Sequence, residues 1–412
     1  MQKRIAIISY HSCPLSAYEG KETGGMNTYV LSLAKELSQR GFLIDIFTRN
    51  QDEKKEKIVV LSPTLRVVHL DAGPKENIAK KHLIAYIDEF VASFKAFVKQ
   101  EKINYEILDC HYYLSGLIGL KIKKELFPIP IVMTFHTLSL MKNLVARTEA
   151  EMENASRIEA EFMLAASSDM IISPTQNEGE YLEYLYNCPK EKITIIPPGI
   201  DTSLFKPIDK IEAKKTVGAD KNHKLILFVG RIEPLKGIDT LLYAMKILAQ
   251  RKKECTFCLW IVGGEISQVP TLASAEISYL ESLKNLLGLS NIVQFIGRKL
   301  PEELPYFYNA ADVVVMPSHY ESFGIAVLEA MACGTPVITT NVSGVSTLID
   351  DKHLKLVASA SNPLQLASQM ELLLVNDTVS RQFGRDIAKK VQDLTWSHVT
   401  EKVIRAYKKL LS

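Results

Sequence analysis

Long apolar stretches are missing from this 412-residue chain: runs such as Leu225–Val229 and 256–262 fall far short of the roughly 20 residues a membrane-spanning helix requires. A dominant charge sign is missing as well. The formal net charge of +2 gives no broad one-signed field, so nucleic acid is not indicated as a partner, although a local basic or amphipathic membrane face stays open. Cysteine is scarce: six residues lie scattered at 13, 110, 188, 255, 258 and 333. Only Cys255 and Cys258 have a suggestive spacing, within an expected strand that would point them to opposite faces, and no second pair completes a zinc site. Buried, reduced thiols of a cytoplasmic protein are the expectation, with no metal site. There is no low-complexity tract, no long repeat and no Asp-x-Asp pair to hold a metal–diphosphate complex. The N-terminus places Lys3 and Arg4 before an apolar run, as a leader would, but that run stops at Ser9-Tyr10-His11 and reads as a first buried strand.

What is present is the composition of an ordinary globular protein, 47% hydrophobic and 23% charged, at a length that suffices for two cores. Short Val/Ile-rich runs alternate with amphipathic stretches. Strands are expected at Arg4–Ser9, Leu43–Thr48, Val67–Leu70, Ile107–Cys110, Ile131–Phe135, Met170–Ser173 and Ile193–Pro197, then in a second series beginning at Leu225–Gly230. Helical patterns cover Met26–Arg40, Ile78–Lys99, Glu149–Ala166, Thr240–Gln250 and Ser274–Leu287. Such alternation predicts an α/β protein with parallel sheets covered by helices on both faces. Pro197-Pro198-Gly199 opens a stretch without periodicity that runs to about Lys224, as an interdomain linker would. The expected division is therefore two doubly wound, Rossmann-like domains, 1–205 and 206–390, with a cleft between them. A last helix, within 391–412, is left free to pack back on the first domain. A homodimer is compatible with all of this.

The chemistry concentrates at the carboxyl ends of the expected strands, where ligands of open α/β sheets bind. Glu321 and Glu329 bracket the turn Ser322-Phe323-Gly324 and the first turns of a helix, whose unpaired N–H groups suit an anion while carboxylates accept from sugar hydroxyls. The plain alternative is a solvated loop residue and a helix surface charge. Upstream, a strand ends at Gly230 and is followed by Arg231, Lys236 and Gly237. Two cations there would hold a diphosphate and stabilise it as it departs, or they form a solvated basic loop. Gly263-Gly264 lets backbone approach a ligand closely, and Arg298 follows another strand end. In the first half, Gly24-Gly25-Met26-Asn27 opens a helix, while His111-Tyr112-Tyr113 and His136-Thr137 each close a strand.

Taken together, Gly24-Gly25-Met26-Asn27, Arg231 with Lys236-Gly237, and Glu321 with Glu329 resemble retaining GT-B glycosyltransferases of glycosyltransferase family four, over nearly the whole chain. The resemblance implies that Arg231 and Lys236 hold the donor diphosphate, Glu321 the hydroxyls of the transferred sugar and Glu329 the ribose. Gly25, Gly264 and Arg298 would complete the donor site together with the backbone of Phe323-Gly324. Within the family, Asp71-Ala72-Gly73-Pro74, His111 to Gly116 and His136-Thr137-Leu138 resemble inositol-phosphate glycosyltransferases. That likeness puts the acceptor phosphate on Lys80, Tyr112, Thr137 and Arg157, with Asn27 beside it. The stretch Gly73-Pro74 through Phe90 is similar to sucrose-phosphate synthases, which usually carry Gln where this chain has Met26-Asn27. Glu22-Thr23 also departs from the Asp-Ala usual in the inositol-phosphate enzymes.

The expected reaction moves a hexosyl group from a UDP-sugar, UDP-N-acetylglucosamine or UDP-glucose, to a phosphorylated acceptor such as inositol phosphate, with retained configuration. Fructose 6-phosphate is the alternative acceptor. No carboxylate nucleophile is assignable, which leaves front-face departure of UDP; Arg231 and Lys236 replace a divalent ion and His136 contacts the sugar. The expected catalytic set is His136, Arg231, Lys236 and Glu321, with no cofactor beyond the nucleotide-sugar. An epimerase acting on its donor alone and a nucleotide-sugar-binding protein without turnover are the rival readings.

Overall fold

The computed structural model describes residues 3–16, 24–126, 128–252, 256–264, 272–341, 344–349 and 356–411. The chain separates into two compact units, Met1–Gly199 with Trp396–Ser412, and Ile200–Thr395. Both are doubly wound around parallel sheets, the architecture expected for alternating strands and helices.

The first unit contains β1 (Arg4–Ile8), β2 (Leu43–Arg49), β3 (Ile58–Ser62), β4 (Leu65–Leu70), β5 (Ile107–His111), β6 (Ile131–Thr134), β7 (Met170–Ser173) and β8 (Ile193–Ile195). Their order is β3-β4-β2-β1-β5-β6-β7-β8, parallel throughout except for β3. β1 and β5 are neighbours in register, Ile7 opposite Asp109, and the chain runs to opposite sides of the sheet from them. That makes the carboxyl ends of β1 and β5 the switch point at which such a sheet opens to ligands. The edge hairpin β3–β4 is only half foreshadowed by the sequence. β3 is flanked by Lys54, Lys55, Glu56 and Lys57, and Val60 and Leu61 face solvent, so it lacks the profile of a buried strand.

Helix Gly25–Gln39 packs its apolar stripe, Tyr29, Val30, Leu33, Ala34 and Leu37, into the core of this unit. Helix Trp396–Leu411 joins the same core with Trp396, Val399, Val403, Ala406 and Tyr407, the spacing of one helical face. Each fully buried Val or Leu among them contributes about 1.5–3 kcal/mol. Two expected helices begin later than their periodicity suggests. Helix Ile87–Glu101 follows a 3-10 turn at Lys80–Tyr86, and helix Ala155–Ser167 starts where the Asn154 side chain accepts a hydrogen bond from the Arg157 N–H.

The second unit contains β9 (Lys224–Val229), β10 (Phe257–Val262), β11 (Val293–Gly297), β12 (Val313–Met316), β13 (Val337–Thr340) and β14 (Val357–Ala358), ordered β11-β10-β9-β12-β13-β14 and all parallel. Its switch point lies between β9 and β12. The stretch expected to lack periodicity before β9 holds a short helix, Lys210–Val217. Asp209 caps it by accepting from the N–H groups of Ile211 and Glu212, and Gly218 ends it in the left-handed region, so local capping supplies what apolar periodicity does not. Among the described residues no helix is long and apolar enough to cross a membrane. Cys258 lies on β10, whereas Cys255, Glu22 and Thr23 fall outside the described residues.

Candidate active site

In the second unit the loops after β9 and β12 are fastened to each other at the switch point. Gly237 has φ +64°, and a Cβ there would sit 2.2 Å from the Pro317 carbonyl oxygen, so only glycine permits the approach. The His319 N–H donates to the Leu235 carbonyl at 2.8 Å. This clamp brings the Lys236 ammonium onto the Glu321 carboxylate in a short, mostly buried ion pair. Arg231, on the same loop and about one-third exposed, pairs with Glu233 at 2.6 Å. Gly324 opens helix Ile325–Ala332 at φ +102° with no side-chain cap, and Phe323 beside it is buried.

Glu329 is not the helix surface charge that the plain reading allowed. It is 8% exposed and accepts from the Tyr308 hydroxyl at 2.6 Å. Burial pushes its carboxyl up to about 7, against which the Tyr308 hydrogen bond pulls. After β10, a Cβ on Gly263 would lie 1.8 Å from the Gly230 carbonyl oxygen, so glycine is sterically required there, and Gly264 sits at φ +71°, a backbone conformation that favours glycine. Half-buried Arg298 follows Gly297 at the end of β11. Thus Arg231, Lys236, Gly264, Arg298, Glu321, Phe323, Gly324 and Glu329 all stand at the carboxyl side of one sheet.

In the first unit the site residues gather around β5 and β6. Tyr112 follows β5 at φ +76° and His136 follows β6 at φ +62°, two non-glycine residues in the left-handed region. Arg157 is buried and reaches both loops: it donates to the Thr137 carbonyl and hydroxyl, each at 3.0 Å, and lies 4.9 Å from the Tyr112 ring centre and 5.2 Å from that of Tyr113. Burial works against its charge, which Tyr112, Glu161 and Glu153 more than restore. Glu161 accepts from Arg157 at 2.8 Å, and Glu153 pairs with it at 2.7 Å. Lys80, exposed, approaches the Tyr112 ring at 6.0 Å. Lys80, Tyr112, Thr137 and Arg157 are therefore together. Asn27, in the first turn of helix Gly25–Gln39, is 3% exposed, and neither its amide oxygen nor its amide nitrogen has a hydrogen-bond partner among the described residues.

His136 is half-buried, its Nε2 lying 2.9 Å from His111 Nδ1. Burial first, then His111 and His11, hold its imidazole well below the usual histidine range, so it is neutral at neutral pH. The sequence reading did not single out Asp109, Tyr29, Glu153, Glu161, Tyr308 or Tyr407. One signal was available: Asp109 is the lone carboxylate of strand β5, which is buried throughout, and so required a partner.

Two parallel-sheet units, each with polar side chains converging on strand ends, define a glycosyltransferase of the GT-B type, and the comparisons agree. The profile of Glycosyl transferases group 1 matches residues 209–390, and that of Glycosyltransferase Family 4 matches residues 23–204. The chain belongs to glycosyltransferase family four. It is 33% identical to the D-inositol 3-phosphate glycosyltransferase of Corynebacterium jeikeium over 410 residues, covering 99% of this chain and 97% of the relative. To that of Rhodococcus erythropolis it is 32% identical over 408 residues, covering 99% and 91%. Among solved structures, a sucrose-phosphate synthase from Thermosynechococcus elongatus superposes with a TM-score of 0.89 at 29% identity, covering 100% of this chain and 99% of that one. Anabaena HepE in complex with UDP-glucose gives 0.75 at 16% identity, covering 98% and 99%, a likeness of fold alone.

Proposed function

We propose that the protein transfers a hexosyl group from a UDP-sugar to a phosphorylated small acceptor, an inositol phosphate, with retention of anomeric configuration. The observation that carries this reading is the cluster of Lys80, Tyr112, Thr137 and Arg157 in the first unit. The phenol and the hydroxyl, which follow adjacent strands, together with Lys80 of the 3-10 turn and Arg157 of helix Ala155–Ser167 make a phosphate cradle. Asn27, with both amide atoms unpartnered, supplies a donor and an acceptor for ring hydroxyls. The donor half is assigned to the second unit. Arg231, Lys236 and the open N–H groups after Gly324 take the diphosphate, Glu321 the sugar hydroxyls and Glu329 the ribose, with Gly264 and Arg298 lining the approach.

The step is a front-face exchange. The C1–O bond to the β-phosphate breaks, the acceptor oxygen bonds to C1 on the same face, and the acceptor proton passes to the departing phosphate. Arg231 and Lys236 stabilise the charge that develops on that phosphate. Neutral His136 meets the sugar as a hydrogen-bond partner.

The 29% identity to a sucrose-phosphate synthase favours fructose 6-phosphate as the second acceptor reading. One panel separates the two: UDP-glucose and UDP-N-acetylglucosamine, each with and without inositol 1-phosphate, inositol 3-phosphate or fructose 6-phosphate, scored by UDP release and by the anomeric coupling of the product in NMR. Release that depends on an inositol phosphate, with an α-linked product, is expected. Release supported only by fructose 6-phosphate would transfer the proposal to that acceptor, and a β-linked product would remove the retaining mechanism.

A further inference from the structure

The ring of His136 is governed from deeper in the first unit. On β5, Asp109 and His111 point to the same face because they are two residues apart, and both are fully buried. His111 Nδ1 meets His136 Nε2 at 2.9 Å, while His111 Nε2 lies 3.4 Å from Asp109 Oδ2. Tyr407, on helix Trp396–Leu411, donates its hydroxyl to that same Oδ2 at 2.6 Å. The Tyr29 ring closes the cluster, its centre 5.6 Å from His111, 5.3 Å from His136 and 5.2 Å from Trp396. Asp109 Oδ1 and His111 Nε2 make no regular hydrogen bond among the described residues, so beyond the Tyr407 hydroxyl on the carboxylate, the carboxylate is what this ring nitrogen faces.

That arrangement dictates where the protons go. A carboxylate stabilises an N–H on the ring nitrogen that faces it, which puts the His111 proton on Nε2 and leaves Nδ1 as a lone pair. A lone pair 2.9 Å from His136 Nε2 requires a proton on that nitrogen in turn. His136 Nδ1 is then left as an acceptor, and it has no hydrogen-bond partner among the described residues.

We infer that Asp109, steadied by Tyr407, acts through His111 as a positioning group that fixes His136 in its Nε2–H form and presents Nδ1 to a donor hydroxyl. The use of Nδ1 on a sugar hydroxyl rests on the reading under Proposed function; the tautomer does not. Asp109 and Tyr407 touch no substrate, and neither is assigned above to the donor or acceptor sites.

Long-range ¹H–¹⁵N correlation spectra of the full chain, ¹⁵N-labelled at histidine, read the tautomers directly, with His111→Ala and His136→Ala supplying the assignments. Both rings are expected as Nε2–H in the wild type. In Asp109→Asn the carboxamide NH2 can face His111 Nε2, which reverses the chain and moves the His136 proton to Nδ1. Turnover should then fall roughly 10- to 100-fold with the acceptor KM within about threefold. A wild-type His136 in the Nδ1–H form overturns the inference, as does an Asp109→Asn variant with native near-UV circular dichroism and an unchanged His136 tautomer. Should Asp109→Asn fail to fold, Tyr407→Phe decides the matter. Loss of its hydroxyl frees the carboxylate to bind His111 more strongly and should shift the His111 Nε2–H resonance downfield; no shift overturns the inference. A reversed tautomer with unchanged turnover would leave the relay standing and remove His136 from the proposed chemistry.

Discussion

At the scale of single residues, Lys236 and Glu329 answer to opposite electrostatic demands. The Lys236 ammonium is mostly buried and already balanced by Glu321, so its position is set before any ligand arrives. Lys236→Ala should reduce turnover about 100-fold or more, the usual loss when one fixed stabilising donor is removed, with the melting temperature nearly unchanged. Initial rates of UDP release and a thermal melt check this, and turnover within twofold of the wild type would remove the role. Glu329 carries a carboxyl raised to about 7 by burial. With the ribose on Glu329 as proposed, its hydroxyls would donate to the ionised form, so UDP-glucose should bind more tightly as pH rises from 6 to 8, by up to about tenfold, and Glu329→Gln should flatten the profile. Calorimetric titration with UDP-glucose suits the test, because its diphosphate is a diester and does not titrate in that range. The position of Glu329 on a helix was legible in the sequence, whereas its burial was read only as one of two options. The neighbouring residues held the answer: Ile325 to Ala332 is apolar on every side except at Glu329, and a helix apolar all round is a buried helix.

At the scale of elements, the active-site loops are rigid because backbone touches backbone. Gly237→Ala would drive a methyl group into the Pro317 carbonyl and place alanine at φ +64°, so a loss of about 2 kcal/mol or more of stability is expected, accompanied by loss of UDP-glucose affinity. A chemical melt and a binding titration on the same preparation measure both. The strands, the switch-point loops and the clustering of His111, Tyr112, His136 and Thr137 at strand ends followed from periodicity, which reports burial along a short stretch. Periodicity has no access to the helix Lys210–Val217, which is set by its caps, or to the edge strand β3, whose outward face is apolar. It also cannot reveal that Asp109 meets a hydroxyl 298 positions away along the chain, because that contact depends on the path of the whole fold.

At the scale of the molecule, the first unit is discontinuous in sequence: Trp396–Leu411 supplies part of the core whose remainder comes from the first 199 residues. Gly199 lies against the Trp396 backbone so closely that a Cβ would sit 2.7 Å from its Cα, which fixes where the chain leaves and re-enters. The two tryptophans fall one to each unit, Trp260 and Trp396, so single-tryptophan variants report on the units separately. Val403→Ala removes a fully buried side chain from the re-entrant helix. It should destabilise the transition seen by Trp396 by about 1–3 kcal/mol and move the one seen by Trp260 less, a comparison that urea titrations of the two variants make directly. The discontinuity also orders events during synthesis. The half that leaves the ribosome first cannot finish its core until the final segment has been made, whereas the half encoded in between is continuous and free to fold as it emerges. The hydrogen-bond chain ending at Tyr407 is therefore assembled last, so a chain interrupted short of its tail would have a folded second unit and a first unit still waiting for its closing helix.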